Sequence, residues 1–287
     1  MQAIRSILVV IEPEHAESLA LKRAKLIAGV TSAHLHLLVC DKKHDHAGML
    51  GVLKSALLAD GYSVTTEQAW NESLHETIVD VQQAEGCGLV IKQHFPDSAL
   101  KKALLTPADW KLLRHCPTPV LLVKTSGSWK DKVILAAVDV GNTDGEHRHL
   151  HAGIIDHGFD IAALAKGHLH VIAAHPSPML SAADPALQLS ETIEARYREQ
   201  CRAFQAEFDI DDARLHIEEG PADVLIPFMA HKLQAAVTVI GTVARTGLSG
   251  ALIGNTAEVV LDALESDVLV LKPQEVEDHL VELAVKH

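Results

Sequence analysis

An internal repeat constrains the fold of this chain more than any other feature of its sequence. Three apolar runs from the first half return in the same order in the second: 5–12 as 132–139, 33–40 as 167–174, and 119–124 as 267–272. The second of these runs contains His-Leu-His in both copies. The chain is therefore interpreted as a duplication of a unit of roughly 130–150 residues.

Within each copy, strand-like runs alternate with helix-like segments, an order that implies parallel pairing and right-handed crossovers. With five strands in each half, we predict an α/β fold of two tandem, doubly wound parallel sheets. Aromatic residues make up only 3% of the chain, and an aliphatic core suits parallel sheets that are covered by helices on both faces. We predict a first domain at 1–124, a linker at 125–131 and a second domain at 132–287.

A glycine-rich loop at 241–256 is the strongest candidate for a binding site. It follows an apolar run, 235–240, that is typical of a buried strand, and it precedes 257–264, which is typical of a helix. Glycines let the backbone approach an anion closely, and the first turn of a helix offers free N–H groups. Ligands of such sheets bind at the carboxyl ends of strands where the strand order reverses, so we expect Asp139 to meet this loop.

The loop and the repeat resemble the universal stress protein family, whose phosphate loop reads G-x2-G-x9-G-[ST]. Gly241 and Gly254 stand at its outer glycines, whereas Ala244 stands at the second glycine and Asn255 at the Ser/Thr position. The phrases GTVxRTGxSxAxxGNTAE and TPxDWxLLRxCPxPVxxVK resemble the tandem, E-type members, and the similarity covers essentially the whole chain.

This resemblance implies a strand order of 3-2-1-4-5 in each half. It also implies that the two fifth strands pair with each other and build an internal pseudo-dimer. The first of these strands runs from Pro119 to Val123 and the second from Asp267 to Leu271.

The resemblance also implies a nucleotide site in the second half, with ATP as the expected ligand. In the family, an aspartate beyond the first strand approaches the adenine, and Asp139 matches it; the end of the second strand, here Ala173 and Ala174, flanks the base. The positions that match the phosphate loop are Gly241, Ala244, Arg245, Gly254, Asn255 and Thr256. Some members of the family bind ATP and others do not. A Cβ at Ala244 costs on the order of 1–2 kcal/mol if that position needs a positive φ, which the charge of Arg245 can offset.

The first half departs further from the phosphate-loop pattern. The position of Gly241 falls there at Lys92 or Gln93, and Glu12 replaces the aspartate. Pro107 removes one N–H group that a phosphate would need. We therefore expect a structural half whose nucleotide site has been lost or repurposed.

Clusters of histidine suggest metal binding as an alternative. Asp144, His147 and His151 share one helical face, and the loop 41–46 (DKKHDH) holds two histidines and two aspartates. A third ligand cannot be fixed from the sequence at either place, so no metal ligand is assigned. The alternating pairs His34/His36 and His168/His170 are interpreted as sheet histidines with hydrogen-bond partners.

Charge and motifs limit the remaining functions. A net charge of −13 disfavours direct binding of nucleic acid or of an anionic membrane. Four scattered cysteines without a CxxC pair, and an N-terminal apolar run too short for a signal peptide, predict a cytoplasmic protein. The sequence lacks GxxxxGK[ST], GxSxG and HExxH, so we assign no catalytic residue and expect at most a weak ATPase.

Two functions from different classes remain open. The first is a non-enzymatic stress-response protein whose second half senses a nucleotide, because tandem E-type members of the family are associated with stress survival. The second is a structural or interaction protein with degenerate nucleotide sites that holds an apolar ligand or a metal instead. The sequence names no protein partner. The run 176–185 is interpreted as a plain loop, with a lid over the cleft as the alternative.

Overall fold

The structure, a computed structural model, describes residues 4–15, 17–95, 105–141, 145–175, 190–242 and 255–284. The first half contains β1 (Ser6–Val10), α1 (Leu19–Thr31), β2 (His34–Cys40), α2 (Ala47–Ala59), β3 (Val64–Ala69), α3 (Leu74–Ala84), β4 (Leu89–Gln93), α4 (Pro107–His115) and β5 (Val120–Val123). The second half contains β6 (Val133–Val138), α5 (Gly145–Ala165), β7 (His168–His175), α6 (Ser190–Phe208), β8 (Leu215–Glu219), α7 (Ala222–Lys232), β9 (Val237–Gly241), α8 (Asn255–Ala263), β10 (Asp267–Leu271) and α9 (Gln274–Ala284).

The strands form one continuous ten-stranded sheet in the order β3-β2-β1-β4-β5-β10-β9-β6-β7-β8. Within each half the pairing is parallel and the order is 3-2-1-4-5. The predicted fold, two tandem doubly wound sheets, is therefore confirmed.

The two halves meet where β5 pairs with β10. This pairing is antiparallel, with Leu121 opposite Leu269 at its centre, and both leucines are fully buried. The prediction that the two fifth strands join the halves into an internal pseudo-dimer is confirmed. In this way each of the two strands covers the other's edge, which would otherwise expose unpaired N–H and C=O groups.

Helices cover both faces of the sheet, as an aliphatic parallel sheet requires. Buried side chains of α1, α2, α5 and α6 pack on one face, and those of α3, α4, α7 and α8 pack on the other. Helix α6 follows β7 in the second half, and α9 follows β10 at the C-terminal side. Helix α3 begins after its N-cap Ser73, whose hydroxyl accepts the N–H of Glu76.

One carboxylate ties the connection between the halves to β10. Asp267 is fully buried, and its Oδ2 accepts hydrogen bonds from Nε of Arg23 at 2.9 Å and from Nε1 of Trp129 at 2.8 Å. Its Oδ1 accepts the backbone N–H groups of Lys124 at 2.8 Å and Thr125 at 2.9 Å. The Arg23 guanidinium also lies 4.7 Å from the centre of the Trp129 ring. The segment expected to be a linker is thus fastened to both halves.

Two further observations bear on the environment of the chain. Among the helices in the ranges given above, none is long and apolar enough to cross a membrane. Cys40, Cys87, Cys116 and Cys201 are all free thiols.

Candidate functional site

The carboxyl ends of the neighbouring strands β6 and β9 place Asp139 and Gly241, two of the predicted second-half residues, at the same end of the sheet. Ala137 of β6 pairs with Ile240 of β9, so Asp139 and Thr242 each lie two residues beyond a paired position. Asp139 is exposed, and its Oδ1 accepts the N–H of Gly141 at 3.1 Å. An exposed carboxylate at the point where the strand order reverses is suited to accept hydrogen bonds from a ligand.

The end of β7 completes one side of this site. Ala173 is buried and pairs with Val138 at the end of β6. Ala174 is half-buried, and His175 closes the strand. The predicted pair Ala173–Ala174 therefore lies beside the strand that leads into Asp139.

Tyr197 of α6 lies over the same edge and was missed from the sequence. Its ring centre is 5.3 Å from that of His175, and a Cβ placed on Gly141 would clash with its hydroxyl. Burial, and then the charge of Asp139, raise the pKa of Tyr197. The sequence does hold a signal for this helix, because Tyr197, Cys201, Phe204 and Phe208 recur at helical spacing.

The first glycine of the loop has a packing role of its own. A Cβ at Gly241 would lie 2.6 Å from Cδ2 of Leu150 and 3.0 Å from Cδ1 of Ile154, both on α5. These distances are too short for a normal contact, so the absence of a side chain lets α5 approach β9. The packing of α5 therefore explains the glycine at position 241 without a bound phosphate.

Replacing Gly241 by alanine is expected to lower the free energy of unfolding by about 1–3 kcal/mol, because the added methyl group overpacks the contact with α5. Urea denaturation measures this change. Gly51→Ala is the matched control: a Cβ at Gly51, inside α2, meets nothing within 4 Å, and alanine there should stabilise the helix by roughly 0.5–1 kcal/mol. If both variants shift stability in the same direction, the packing explanation for Gly241 is wrong.

The rest of the glycine-rich loop is only partly described. Ala244, Arg245 and Gly254 lie outside the described residues, as does the run 176–185. Helix α8 begins at Asn255, and Thr256 in its first turn is exposed. The first turn of α8 follows β9 through this loop, and its N–H groups are the donors that the sequence analysis assigned to an anion.

In the first half, the equivalent place is filled by buried charges. The strand register aligns Gln93 with Gly241, because Gln93 pairs with Val123 as Gly241 pairs with Leu271. Next to Gln93, Nζ of Lys92 donates to Oδ1 of Asp109 at 3.0 Å.

His94 completes this group on the other carboxylate oxygen. Its Nδ1 lies 2.8 Å from Oδ2 of Asp109, and the Thr106 hydroxyl donates to the same oxygen at 2.9 Å. Asp109 is fully buried, and Lys92 and His94 are exposed by 5% or less. Burial alone would raise the pKa of Asp109, but the hydrogen bond from His94 and the charge of Lys92 outweigh it and hold that pKa well below the ordinary range.

The second half has neutral residues at the same three positions. By the register of the strands and the repeat, Lys92 corresponds to Ile240 and His94 to Thr242. Asp109 corresponds to Ala257 in the repeat. An internal carboxylate thus occupies the N-terminus of α4, whereas α8 has no equivalent charged side chain at these positions.

Most of the other histidines singled out in the sequence have partners within the chain. Nε2 of His151 accepts the N–H of Asp139 at 3.3 Å, and the rings of His147 and His151 lie 6.2 Å apart; Asp144 lies outside the described residues. On the strands, His34 bonds to Ser63 and Thr65, and His170 contacts His216 at 2.9 Å. Two groups of three possible ligand atoms lie among the described residues: Asp41, His44 and His46 in the loop 41–46, and His36 with Glu67 and Glu85.

Comparisons with known proteins agree with this architecture. A sequence model described as the Universal stress protein family matches residues 40–124 and 132–272. The crystal structure of a functionally unknown protein from Pseudomonas aeruginosa PAO1 is similar with 69% identity and a TM-score of 0.92, over 100% of this chain and 99% of that one. Universal stress protein E homolog from Haemophilus influenzae is 30% identical over 91% of this chain and 85% of its own length. Universal stress protein E from Salmonella typhi is 30% identical over 96% of both chains.

Proposed function

The chain belongs to the universal stress protein family, and on this premise we propose that it is a cytoplasmic stress-response protein whose second half senses a nucleotide. We further propose that its two units are residues 1–124 and 132–287, joined through 125–131. Free thiols at all four cysteines support a reducing compartment. We propose a binding role with at most a weak ATPase activity, since the sequence lacks the phosphate-binding motif GxxxxGK[ST].

One observation carries the assignment of the nucleotide to the second half. The ion pair of Lys92 and Asp109 fills the position at α4, whereas Ile240 and Ala257 leave the equivalent position at α8 without charge. An anionic phosphate placed at the N-terminus of α4 would find the N–H of Thr106 already bonded to the Asp109 carboxylate and the N–H of Asp109 to the Thr106 hydroxyl. Pro107 offers no N–H at all. At α8 the N–H groups of the first turn face no such competitor among these residues.

The exposed carboxylate of Asp139 is the group that would recognise the base. A carboxylate accepts hydrogen bonds from an exocyclic amino group, and a hydrogen bond to a charged group contributes about 1.5–3 kcal/mol. The Tyr197 ring and Ala174 lie near the same edge and offer apolar surface to a planar base. ATP carries both such an amino group and the anionic phosphates that we assign to the first turn of α8.

Isothermal titration calorimetry of the full chain with ATP and Mg²⁺ is expected to show one ATP-binding site per chain. Asp139→Ala should weaken the affinity by about 10-fold or more, which corresponds to about 1.4 kcal/mol. The matched control is Glu12→Ala, because Glu12 is the counterpart of Asp139 in the repeat and should leave the affinity unchanged.

Two results would contradict the nucleotide proposal. One is the absence of heat at millimolar ATP together with the absence of any nucleotide released from freshly purified, denatured protein. The other is an equal loss of affinity in both variants, which would mean that the site is not in the second half. Ala244→Gly then shows whether the Cβ at that loop position limits binding.

A structural or interaction role is the second candidate, and Gly241 favours it. Its contact with α5 explains the glycine without any ligand. If ATP does not bind, the second half is a packed unit whose loop joins β9 to α8 and whose partner is a protein or an apolar molecule.

A further inference from the structure

The loop between β2 and α2 gathers two imidazoles around one carboxylate. Oδ2 of Asp41 lies 2.9 Å from Nδ1 of His44 and 2.8 Å from Nε2 of His46. The three ligand atoms all lie within 4.8 Å of one another. His44 is mostly exposed, and Asp41 and His46 are partly buried, so a small ion can reach the group from solvent.

The backbone of this loop is held in place by a neighbouring strand. Nε2 of Gln68, on β3, donates to the carbonyl oxygens of Asp41 at 3.0 Å and His44 at 2.6 Å, and its Oε1 accepts the N–H of His46 at 2.8 Å. Three hydrogen bonds from one amide fix the positions from which all three side chains project. The ligand geometry is therefore formed before any ion binds, which lowers the entropy lost on binding.

The charges around the loop are compatible with a dication. The carboxylate of Asp41 accepts the backbone N–H of Lys43 at 2.7 Å in addition to its contacts with both imidazoles. Asp45 adds a second negative charge and accepts the N–H of Ala47 at the start of α2. The ammonium group of Lys42 lies over the ring of Trp70, 5.4 Å from its centre.

We propose that Asp41, His44 and His46 form a three-ligand site for Zn²⁺. Two imidazole nitrogens and one carboxylate oxygen are a ligand set that zinc prefers, with bonds of about 2.0–2.2 Å and a fourth position left for water or another ligand. In a tetrahedron of such bonds the ligand atoms lie roughly 3.3 Å apart, so the present contacts need to open by about half an ångström. The ion replaces the protons that His44 and His46 now share with Asp41.

A second cluster serves as an internal comparison. His36 lies 3.2 Å from Oε2 of Glu67 and 3.6 Å from Oε2 of Glu85. His36 is buried, and its Nδ1 also contacts the Thr65 hydroxyl at 2.8 Å. One buried imidazole that already has hydrogen-bond partners is a poorer start for a zinc site than the two in the loop.

Competition for Zn²⁺ against a chromophoric chelator tests the site on the full chain. We expect the wild type to take up one Zn²⁺ per chain in competition with the chelator. His44→Gln and His46→Gln should each weaken that site by at least about 100-fold, because loss of a ligand costs more than the 10–100-fold of an outer-shell change. Gln68→Leu should weaken it by about 10-fold, since this variant keeps the ligands and loses their support.

Glu85→Gln is the matched control, because it removes one ligand of the comparison cluster and should leave the affinity unchanged. X-ray absorption of the zinc complex should show nitrogen and oxygen near about 2.0–2.1 Å without sulfur at about 2.3 Å. Circular dichroism checks that each variant is folded. The proposal is overturned if the wild type binds no ion in competition, if the folded double variant His44→Gln/His46→Gln binds as the wild type does, if Glu85→Gln abolishes binding, or if sulfur ligates the ion.

Discussion

Replacing Asp267 by alanine is expected to lower the free energy of unfolding by about 3–5 kcal/mol, because a buried ion pair would lose one partner. The carboxylate of Asp267 accepts hydrogen bonds from Arg23, Trp129 and the backbone of Lys124 and Thr125. Without it, the guanidinium of Arg23 is left buried with only carbonyl oxygens, and the connection between the halves loses its attachment to β10.

Guanidinium denaturation of the full chain measures this loss. The control is Asp60→Ala, which removes an ion pair of the same kind with Lys25 at the surface and should cost less than about 1 kcal/mol. A similar small change in both variants would show that the buried contacts of Asp267 do not stabilise the joined halves.

The second large effect is expected at the buried charged group of Lys92, His94 and Asp109 in the first half. Asp109→Ala should also cost about 3–5 kcal/mol, because the Lys92 ammonium would stay buried without its counter-ion. The second half shows which uncharged residues can replace this group: Ile240, Thr242 and Ala257 stand at the equivalent positions. The triple variant Lys92→Ile/His94→Thr/Asp109→Ala should therefore recover most of the loss, since apolar residues often replace a buried ion pair at little cost.

The pH dependence of the same variants adds an independent measurement. The pKa of Asp109 is lower in the folded chain than the value of about 3.9 for an unfolded aspartate. Its contribution to stability is therefore complete above that value and declines as the pH falls below it. Denaturation midpoints between pH 7 and pH 3 should fall more steeply for the wild type than for the triple variant. Parallel curves, or a triple variant no more stable than Asp109→Ala, would contradict the assigned role of the ion pair.

Much of the architecture could be predicted because the repeat defines it. The same strands recur in the same order in both halves, so the parallel sheets follow from the alternation of strands and helices. The pairing of β5 with β10 followed from the family resemblance, although β5 begins at Val120 rather than at Pro119. These features depend on local periodicity and on copies within one chain, which a sequence displays directly.

The buried contacts to which we assign large stability effects could not be predicted from the sequence. Asp267 looked like the first residue of an edge strand, and its partner Arg23 is 244 positions away in the sequence. His94 directly follows Lys92 and Gln93 in the first-half copy of the loop, and its link to Asp109 appears only when β4 and α4 are packed together. Such contacts connect residues that no local pattern relates.

The candidate site was predicted only in outline. Asp139 and Ala173 lie at the expected strand ends. Tyr197 was missed because helix α6 was not recognised. Gly241 was assigned to a phosphate by analogy, whereas the structure adds the close approach of α5 as a reason for the missing side chain. A glycine in a sequence shows that space is needed but does not say what occupies it.

The antiparallel junction of the two halves also bears on how the chain would process signals. Because β5 and β10 run in opposite directions, the carboxyl ends of the first five strands and those of the second five point to opposite sides of the sheet. Strands β2 and β6, which lead to the two proposed sites, are six strand positions apart, or about 29 Å at ~4.8 Å per strand. This separation is several times the screening length of about 8 Å in physiological salt. A zinc ion and a nucleotide bound there would therefore have almost no direct electrostatic influence on each other.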